Sequence, residues 1–508
     1  MDENNDMKKP ILPPRLPSWW RVLPFLTLIM IITNIDNLIL NDYIEYRYTV
    51  KYQTNSSSTV SSRELCLNAT RMSHNSSSSS STTTTSRIPL STTTMSPNDQ
   101  IQAANARLNV YISLASTIPS IITATLLGAN CDRIGRKSLI LLPFIGKIIR
   151  YGMLTAIVYW NLSDLWIILS MIFDSCFGTA ALTILSSFAY VTDCTTEKTR
   201  TAAIIITDVC IGASRLIPLV TLGIYLQHPN FIQSMIVTFF LSLAGFILGL
   251  ILQPESNLSV QHLNIFQQLT YAKLQLVKDA FRVFLIKRDG HIQRSLLLLI
   301  AIHLSVIVIQ CGQMAIYYIY LYGAPFCFDS LGVSLNSIAQ TVAIVVLTIP
   351  FTLTIAKRTD HLVLPAIGCL CVIIQLVLFG FATQIWFLYV AVCIGALFSV
   401  LIPIIRSRIT KLVEPHEYAV VFILAMIFES GGYYAISALV NEIYQVSITF
   451  WPGLVYIVIS TVGVLAILLI LYVELIFHIE LVIFVFCFVI LGYYIYWNIV
   501  RKDTKMQC

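Results

Sequence analysis

The fold is decided by the stretch Gly128-Ala129-Asn130-Cys131-Asp132-Arg133-Ile134-Gly135-Arg136-Lys137. This stretch is polar and basic, and an apolar run of about 20 residues lies on each side of it, long enough to cross a hydrocarbon core of about 30 Å. Short basic connections between apolar runs collect on the cytosolic side of a membrane. The stretch therefore predicts a cytosolic turn between two membrane spans.

The composition also indicates a membrane protein. Apolar residues make up 56% of the 508 residues and charged residues 11%, whereas roughly 25% of the residues in a soluble domain are charged. Recurring apolar runs predict twelve spans, near residues 19–40, 106–130, 139–160, 165–190, 203–226, 231–252, 296–320, 335–356, 362–382, 385–405, 418–440 and 450–472. We expect no cleavable signal peptide, because residues 1–18 are polar and rich in proline.

Lysine and arginine are distributed unevenly between alternate connections. The connections on one side carry them, whereas the short connections on the other side, at 161–164, 227–230, 322–334, 383–384 and 441–449, have none. This positive-inside pattern places the amino terminus in the cytosol. The long connection at 41–105 is then exterior, and its sequons predict N-glycosylation at Asn55, Asn68 and Asn75. Two further sequons, at Asn161 and Asn257, are expected to stay unmodified, because the first lies against the membrane and the second lies inside.

The spans divide into two sets of six. Residues 1–18 form a cytosolic segment, 19–252 the first half, 253–294 a cytosolic linker, 295–475 the second half, and 476–508 an apolar segment with a basic tail. In the linker, the section from Tyr271 to Arg288 fits either a helix on the inner membrane surface or a solvated linker. The apolar run at 476–499 fits a re-entrant or interfacial helix, a continuation of the twelfth span, or an extra span.

Two of the twelve cysteines differ from the rest in their expected compartment. The other ten lie in spans, at cytosolic span ends or in the tail, where they are most simply small apolar residues. Cys66 and Cys327 lie in exterior connections, where oxidation is permitted. We expect these two cysteines to form a disulfide.

The opening stretch resembles motif A of the major facilitator superfamily, Gly-x-x-x-Asp-Arg-x-Gly-Arg-Lys/Arg, at every defining position. The resemblance implies an all-α fold of two six-helix halves, with the cargo site between them. It also implies a gating role, through contacts that hold the outward-open state, for Gly128, Asp132, Arg133, Gly135, Arg136 and Lys137. The second half has no equal copy of this motif.

Four further stretches resemble the proton-coupled folate transporter family, solute carrier family 46. They are Ser-Phe-Ala-Tyr-Val-Thr-Asp at 187–193, Pro-Phe-Cys-Phe-Asp-Ser at 325–330, Pro-Ile-Ile-Arg-Ser at 403–407 and Asn-Glu-Ile-Tyr at 441–444. The resemblance covers residues 20–475 and implies inward symport of organic anions driven by protons. It implies that Asp193 stabilises a closed inner gate. It also implies that Arg406 holds a substrate carboxylate, although a snorkelling arginine fits this position nearly as well.

Ionisable residues inside spans are costly and therefore mark candidate functional sites. Asp208, about 8 Å into the fifth span, falls where the family carries a carboxylate implicated in proton coupling. Arg215 lies two helical turns further along the same face and is a candidate substrate contact, unless the two form a structural ion pair. In the third span, Lys147 and Arg150 lie at nearly the depth of Asp174 in the fourth, which predicts a salt bridge that is more simply a structural clamp than an anion site.

The seventh span departs from the family pattern. Gln310 falls at the position of the family's intramembrane histidine and cannot titrate, so it is at most a substrate contact. His303, seven residues earlier on the same helical face, is the candidate replacement for proton coupling, unless it is a packing residue. This departure keeps a carrier without proton coupling open as an alternative.

Several kinds of chemistry are not indicated. The only Gly-Lys pair lacks the first glycine of a P-loop, and the histidines are scattered without metal-ligand spacing. We expect no enzyme activity, no cofactor, no metal and no nucleic acid partner. The favoured function is symport of an organic anion with protons, in the plasma membrane or else the lysosomal membrane. The alternatives are a facilitative or lysosomal-export carrier and a ligand sensor with a carrier's fold. No feature indicates an oligomeric state.

Overall fold

The computed structural model describes residues 17–53, 66, 97–225, 230–256, 290–348, 363–412 and 418–477. Among these residues, nine helices are long and apolar enough to cross a membrane. The predicted glycosylation sites, the section at 271–288 and the segment at 478–508 lie outside the described residues.

The described helices group into twelve segments that follow the order of the twelve predicted spans, and most segments are single helices. The unbroken spans are the first at Leu23–Gln53, the second at Pro97–Ala129, the third at Arg136–Trp160, the sixth at Phe231–Leu252, the seventh at Gly290–Tyr322, the ninth at Val363–Phe381, the eleventh at Tyr418–Ser447 and the twelfth at Leu454–Phe477. This is the all-α architecture that the sequence predicted.

The other four spans consist of consecutive helical pieces. They are the fourth at Asp164–Cys176 and Thr179–Asp193, the fifth at Glu197–Ala213 and Leu216–Tyr225, the eighth at Ser330–Ala343 and Ile344–Thr348, and the tenth at Ile385–Gly395, Ala396–Val400 and Leu401–Leu412. The break in the fourth span lies at Gly178, whose φ of 92° favours glycine. The break in the fifth span lies at Ser214 and Arg215, so the helical piece that carries Asp208 ends before Arg215.

The first two spans extend further outward than predicted. The first helix continues to Gln53 and the second begins at Pro97, so the bounds 41–105 for the exterior connection are wrong. The extra turns carry charged residues, which is why hydropathy ended the spans early. Partners for the extra turns come from the start of the fourth span: Arg47 Nε lies 2.9 Å from Asp164 Oδ1, and Tyr48 donates a hydrogen bond to Asp164.

The two six-span halves meet mainly along two pairs of spans. The second span packs against the eleventh, and the fifth packs against the eighth. Ser113 donates to Ser437 across the first pair at 2.9 Å. At the second pair, Gly223 approaches Ser334 so closely that a Cβ on Gly223 would lie 2.6 Å from the Ser334 side chain. These contacts bring the exterior ends of the halves together.

Candidate functional site

Four buried charged side chains form a cluster in the first half. Lys147 Nζ lies 2.7 Å from Asp174 Oδ2 and 3.0 Å from Asp36 Oδ2. Arg150 Nη1 lies 3.2 Å from Asp174 Oδ2 and also bonds to Asp36 Oδ2. All four residues are less than 5% exposed. The predicted pairing of Asp174 with Lys147 or Arg150 is confirmed, and both cations take part.

Asp36 is the member that the sequence reasoning missed. It lies in the first span, and an isolated carboxylate inside an apolar run is a signal that could have found it. Two carboxylates and two cations make the cluster neutral, which offsets the cost of burying each charge. The cluster therefore joins the first, third and fourth spans, as a structural clamp would. Tyr434 of the eleventh span lies within electrostatic range of Asp174 and Arg150, so the cluster is close to the interface between the halves.

Arg215 is the second charged feature at this interface. Its side chain is half-buried at the break of the fifth span, and its electrostatic neighbour is Tyr318 of the seventh span, in the other half. Among the residues that the structure describes, no carboxylate forms an ion pair with Arg215. Gln310, also half-buried, lies about 12 Å before Tyr318 along the seventh span. Arg215 and Tyr318, from opposite halves, thus lie within electrostatic range of each other.

Motif A lies at the cytosolic end of the first half. Arg136 Nε bonds to Asp193 Oδ2 at 3.0 Å, and Ser256 donates to the same oxygen at 3.1 Å. Arg136 therefore joins the third span to the end of the fourth. Gly135 precedes the helix with a φ of 98°, a conformation that favours glycine. Gly128 is buried and Arg133 is exposed, whereas the side chain of Asp132 lies outside the described residues.

Glu255 completes this cytosolic arrangement, and the sequence reasoning missed it. Its carboxylate accepts the backbone N–H groups of Arg136 at 2.9 Å and Lys137 at 3.0 Å. A carboxylate at a helix amino terminus satisfies unpaired N–H groups and interacts favourably with the helix dipole. Glu255 thereby attaches the end of the sixth span to the start of the third.

The exterior end holds a second group of contacts. A disulfide joins Cys66 to Cys327, the pair expected from the sequence. Ser330 donates to Asp42 Oδ1 at 2.6 Å, which links the first span to the eighth. Glu45 is 4% exposed and accepts hydrogen bonds from Gln102 at 3.0 Å and Asn105 at 3.1 Å. These carboxylates belong to the helix extension that hydropathy did not reveal.

The remaining predicted residues lie on the fifth, seventh and tenth spans. His303 is 3% exposed and lies between Ile302 and Val306, which pack in an apolar cluster of the second half. Asp208 lies on the inner piece of the fifth span and Arg406 on the last piece of the tenth, but their side chains lie outside what the structure describes.

The profile described as Major Facilitator Superfamily matches residues 90–437. The lysosomal proton-coupled steroid conjugate and bile acid symporter of Gallus gallus is 24% identical over 370 residues, covering 72% of this chain and 78% of that protein. The proton-coupled folate transporter of Bos taurus is 22% identical over 359 residues, covering 70% and 76%. Both relatives are similar over most of their length.

Solved structures show the same architecture. The human organic anion transporter MFSD10 matches with a TM-score of 0.57 and 13% identity, over 89% of this chain and 100% of that one. The partially occluded inward-open xylose transporter XylE from E. coli matches with a TM-score of 0.57 and 15% identity, over 89% and 96%. At such identities the likeness establishes the fold alone.

Proposed function

This chain belongs to the major facilitator superfamily, and we propose that it carries an organic anion together with protons across its membrane. It is a multi-pass membrane transporter, not an enzyme, and it is related to proton-coupled symporters. The anion and the coupling to protons are the proposed part. Folates, bile acids and steroid conjugates, which the relatives' names mention, are the first candidate substrates.

The observation that carries the proposal is Arg215. A half-buried guanidinium without a carboxylate partner among the described residues is costly, because a charge removed from water needs compensation. A substrate carboxylate or sulfate would supply that compensation through charge-assisted hydrogen bonds. Lys147 and Arg150, by contrast, are already neutralised by Asp36 and Asp174. Arg215 is thus better suited to hold an exchangeable anion than either of them.

The position of Arg215 fits alternating access. Its neighbour Tyr318 belongs to the second half, so an anion bound between them would contact both halves. A carrier that rocks its halves about a central site requires such a shared contact. Gln310 would add a neutral hydrogen-bonding group on the seventh span. Arg406, on the tenth span, would receive the anion nearer the cytosol.

Asp208 is the proposed proton carrier. A carboxyl inside the fifth span can take and release a proton as its surroundings alternate between wet and dry. His303 is the second candidate, but it is 3% exposed in this conformation, so a proton would reach it only after a rearrangement. Gln310 cannot titrate, which favours a facilitative carrier as the second candidate function.

Uptake into proteoliposomes tests the proposal. A labelled panel of a folate, a bile acid and a steroid sulfate would be assayed with and without an inward proton gradient. Arg215→Gln should raise KM roughly ten- to a hundredfold, since hydrogen bonds to charged groups are worth about 1.5–3 kcal/mol. Arg215→Lys should retain part of the affinity. Arg107→Gln is the matched control, because Arg107 is an exposed arginine of the second span.

The outcomes separate the candidate functions. Accumulation that needs the gradient and is lost in Asp208→Asn supports symport. Gradient-independent uptake that Asp208→Asn leaves unchanged identifies a facilitative carrier. Binding without accumulation identifies a sensor. An unchanged KM in Arg215→Gln would remove Arg215 from the anion site.

A further inference from the structure

The exterior extension of the first span carries two carboxylates, Asp42 and Glu45, one helical turn apart. Glu45 is buried and accepts hydrogen bonds from Gln102 and Asn105 of the second span. Asp42 is half-buried and accepts from Ser330 at 2.6 Å and from Tyr322 at 3.4 Å. Glu45 thus bonds within the first half, whereas Asp42 accepts hydrogen bonds from residues of the second half.

The partners of these carboxylates are neutral groups that can reverse their hydrogen bonds. The hydroxyls of Ser330 and Tyr322 can accept a hydrogen bond as well as donate one. Gln102 is fully buried, and its Oε1 has no hydrogen-bond partner among the residues that the structure describes, while its Nε2 donates to Glu45. Rotating this amide by about 180° brings Oε1 to the carboxyl, where it can accept from the protonated Glu45. Gln102 therefore matches both protonation states of Glu45.

Charged groups around the pair do not hold it in the ionised form. Asp42 and Glu45 repel each other, and Asp329 at the start of the eighth span adds a further negative charge. The other titratable neighbours are the hydroxyls of Tyr322 and Tyr444. No Lys, Arg or His in the described part of the chain forms an ion pair with either carboxylate, and the nearby Arg47 pairs with Asp164 instead.

Contact between the halves makes this arrangement depend on conformation. Separating the exterior ends would break the bonds from Asp42 to Ser330 and Tyr322 and admit water to both carboxylates. A carboxylate is stabilised by water and destabilised by burial without a cation, whereas a neutral carboxyl loses little on burial. The closed exterior therefore favours the protonated pair, and the open exterior favours the ionised pair.

We propose that Glu45 and Asp42 form a proton-binding site that latches the exterior ends of the two halves. At acidic pH the pair is protonated and the exterior stays closed. As pH rises the pair ionises and the exterior opens. The inference goes beyond the proposed function, because a latch at the exterior end controls opening whichever residue carries the transported proton. It requires neither Asp208 nor the identity of the anion.

Hydrogen–deuterium exchange of the purified full-length chain tests the latch without substrate or gradient. Peptides covering 41–53, 97–109 and 317–332 would be followed from pH 5 to 8, with rates corrected for intrinsic exchange. In the wild type, these peptides should exchange about tenfold faster at the upper end of this pH range than at the lower end. A tenfold change corresponds to a difference of about one pH unit in proton affinity between the closed and open states. Glu45→Gln combined with Asp42→Asn imitates the neutral pair, so its exchange should stay slow at every pH, and each single variant should lose part of the pH response. Asp164→Asn, at the same exterior end but paired with Arg47, should keep the wild-type pH profile.

A swap variant protects the test against a folding defect. Glu45→Gln combined with Gln102→Glu retains one carboxyl and one amide in the same buried pair, so it should restore the pH response. The latch is refuted by a wild type whose corrected exchange is independent of pH, or by single variants that keep the wild-type response. Because no flux is measured, a failure here leaves the proposed anion transport untouched, and a failure of transport leaves the latch testable.

Discussion

At the scale of residues, the buried carboxylates fall into two groups according to their partners. Asp36 and Asp174 bond to Lys147 and Arg150, which can only donate, so these contacts require an acceptor oxygen on each carboxylate. Glu45 bonds to amides, one of which can also accept, so either protonation state can be satisfied there. The same side-chain chemistry thus produces a clamp in one place and a proposed proton site in another.

Removing one carboxylate from the clamp should destabilise the protein. Asp36→Asn leaves two buried cations with one carboxylate, and breaking a buried ion pair costs about 3–5 kcal/mol. Combining it with Lys147→Met restores neutrality and should recover most of the loss. Thermal unfolding of the purified variants in detergent measures both effects. Asp164→Asn, which affects a more exposed pair, is the control. Equal unfolding temperatures for Asp36→Asn and the wild type would show that Asp36 does not contribute to the clamp.

At the scale of elements, the sequence predicted the existence of spans better than their ends and breaks. Hydropathy identifies lipid-facing helix, but the outer turns of the first span carry Asp42, Glu45 and Arg47, whose partners come from distant parts of the chain. Tertiary contacts of this kind leave no local pattern. The pairing of Asp174 was predictable because depth in the bilayer restricts possible partners. The bonds of Glu255 were not, because they depend on how the sixth span returns to the third.

Close approach of the fifth and eighth spans yields a prediction for the exterior contact. A Cβ on Gly223 would lie 2.6 Å from Ser334, whereas a Cβ on Gly212 would meet nothing within 4 Å. Gly223→Ala should therefore push the exterior ends apart at a cost of about 1–3 kcal/mol, and Gly212→Ala on the same span should be neutral. Hydrogen–deuterium exchange of the peptide covering 317–332 at acidic pH reports this separation. The exchange should be faster only in Gly223→Ala. Identical exchange in the two variants would mean that the spans do not meet at Gly223.

At the scale of the whole molecule, two independent features orient the chain in the membrane. The disulfide between Cys66 and Cys327 requires an oxidising compartment at the exterior end. Basic residues of motif A, such as Arg136, lie at the opposite end of the third span, where positive-inside asymmetry places the cytosol. Chemistry and charge therefore agree on one orientation.

This orientation separates the five sequons discussed above. Asn55, Asn68 and Asn75 would face the oxidising side and become glycosylated. Asn161 would face the same side, but it ends the third helix directly with a φ of 47°. Its side-chain oxygen lies 3.5 Å from Arg47 Nη1, and its place at the end of the third span keeps it against the membrane, so Asn161 should stay unmodified.

Gel mobility before and after enzymatic deglycosylation checks this orientation. Each single substitution of Asn55, Asn68 or Asn75 with glutamine should remove one glycan. The triple variant should migrate as the deglycosylated chain. Asn161→Gln and Asn257→Gln should leave the mobility unchanged, since the first asparagine lies directly after the third span, against the membrane, and the second would face the cytosol. A glycan on Asn257 would show that the topology is the inverse of this one, because the connection between the halves would then lie on the same side as the disulfide. The inward direction proposed for the anion and its protons depends on that side being the exterior.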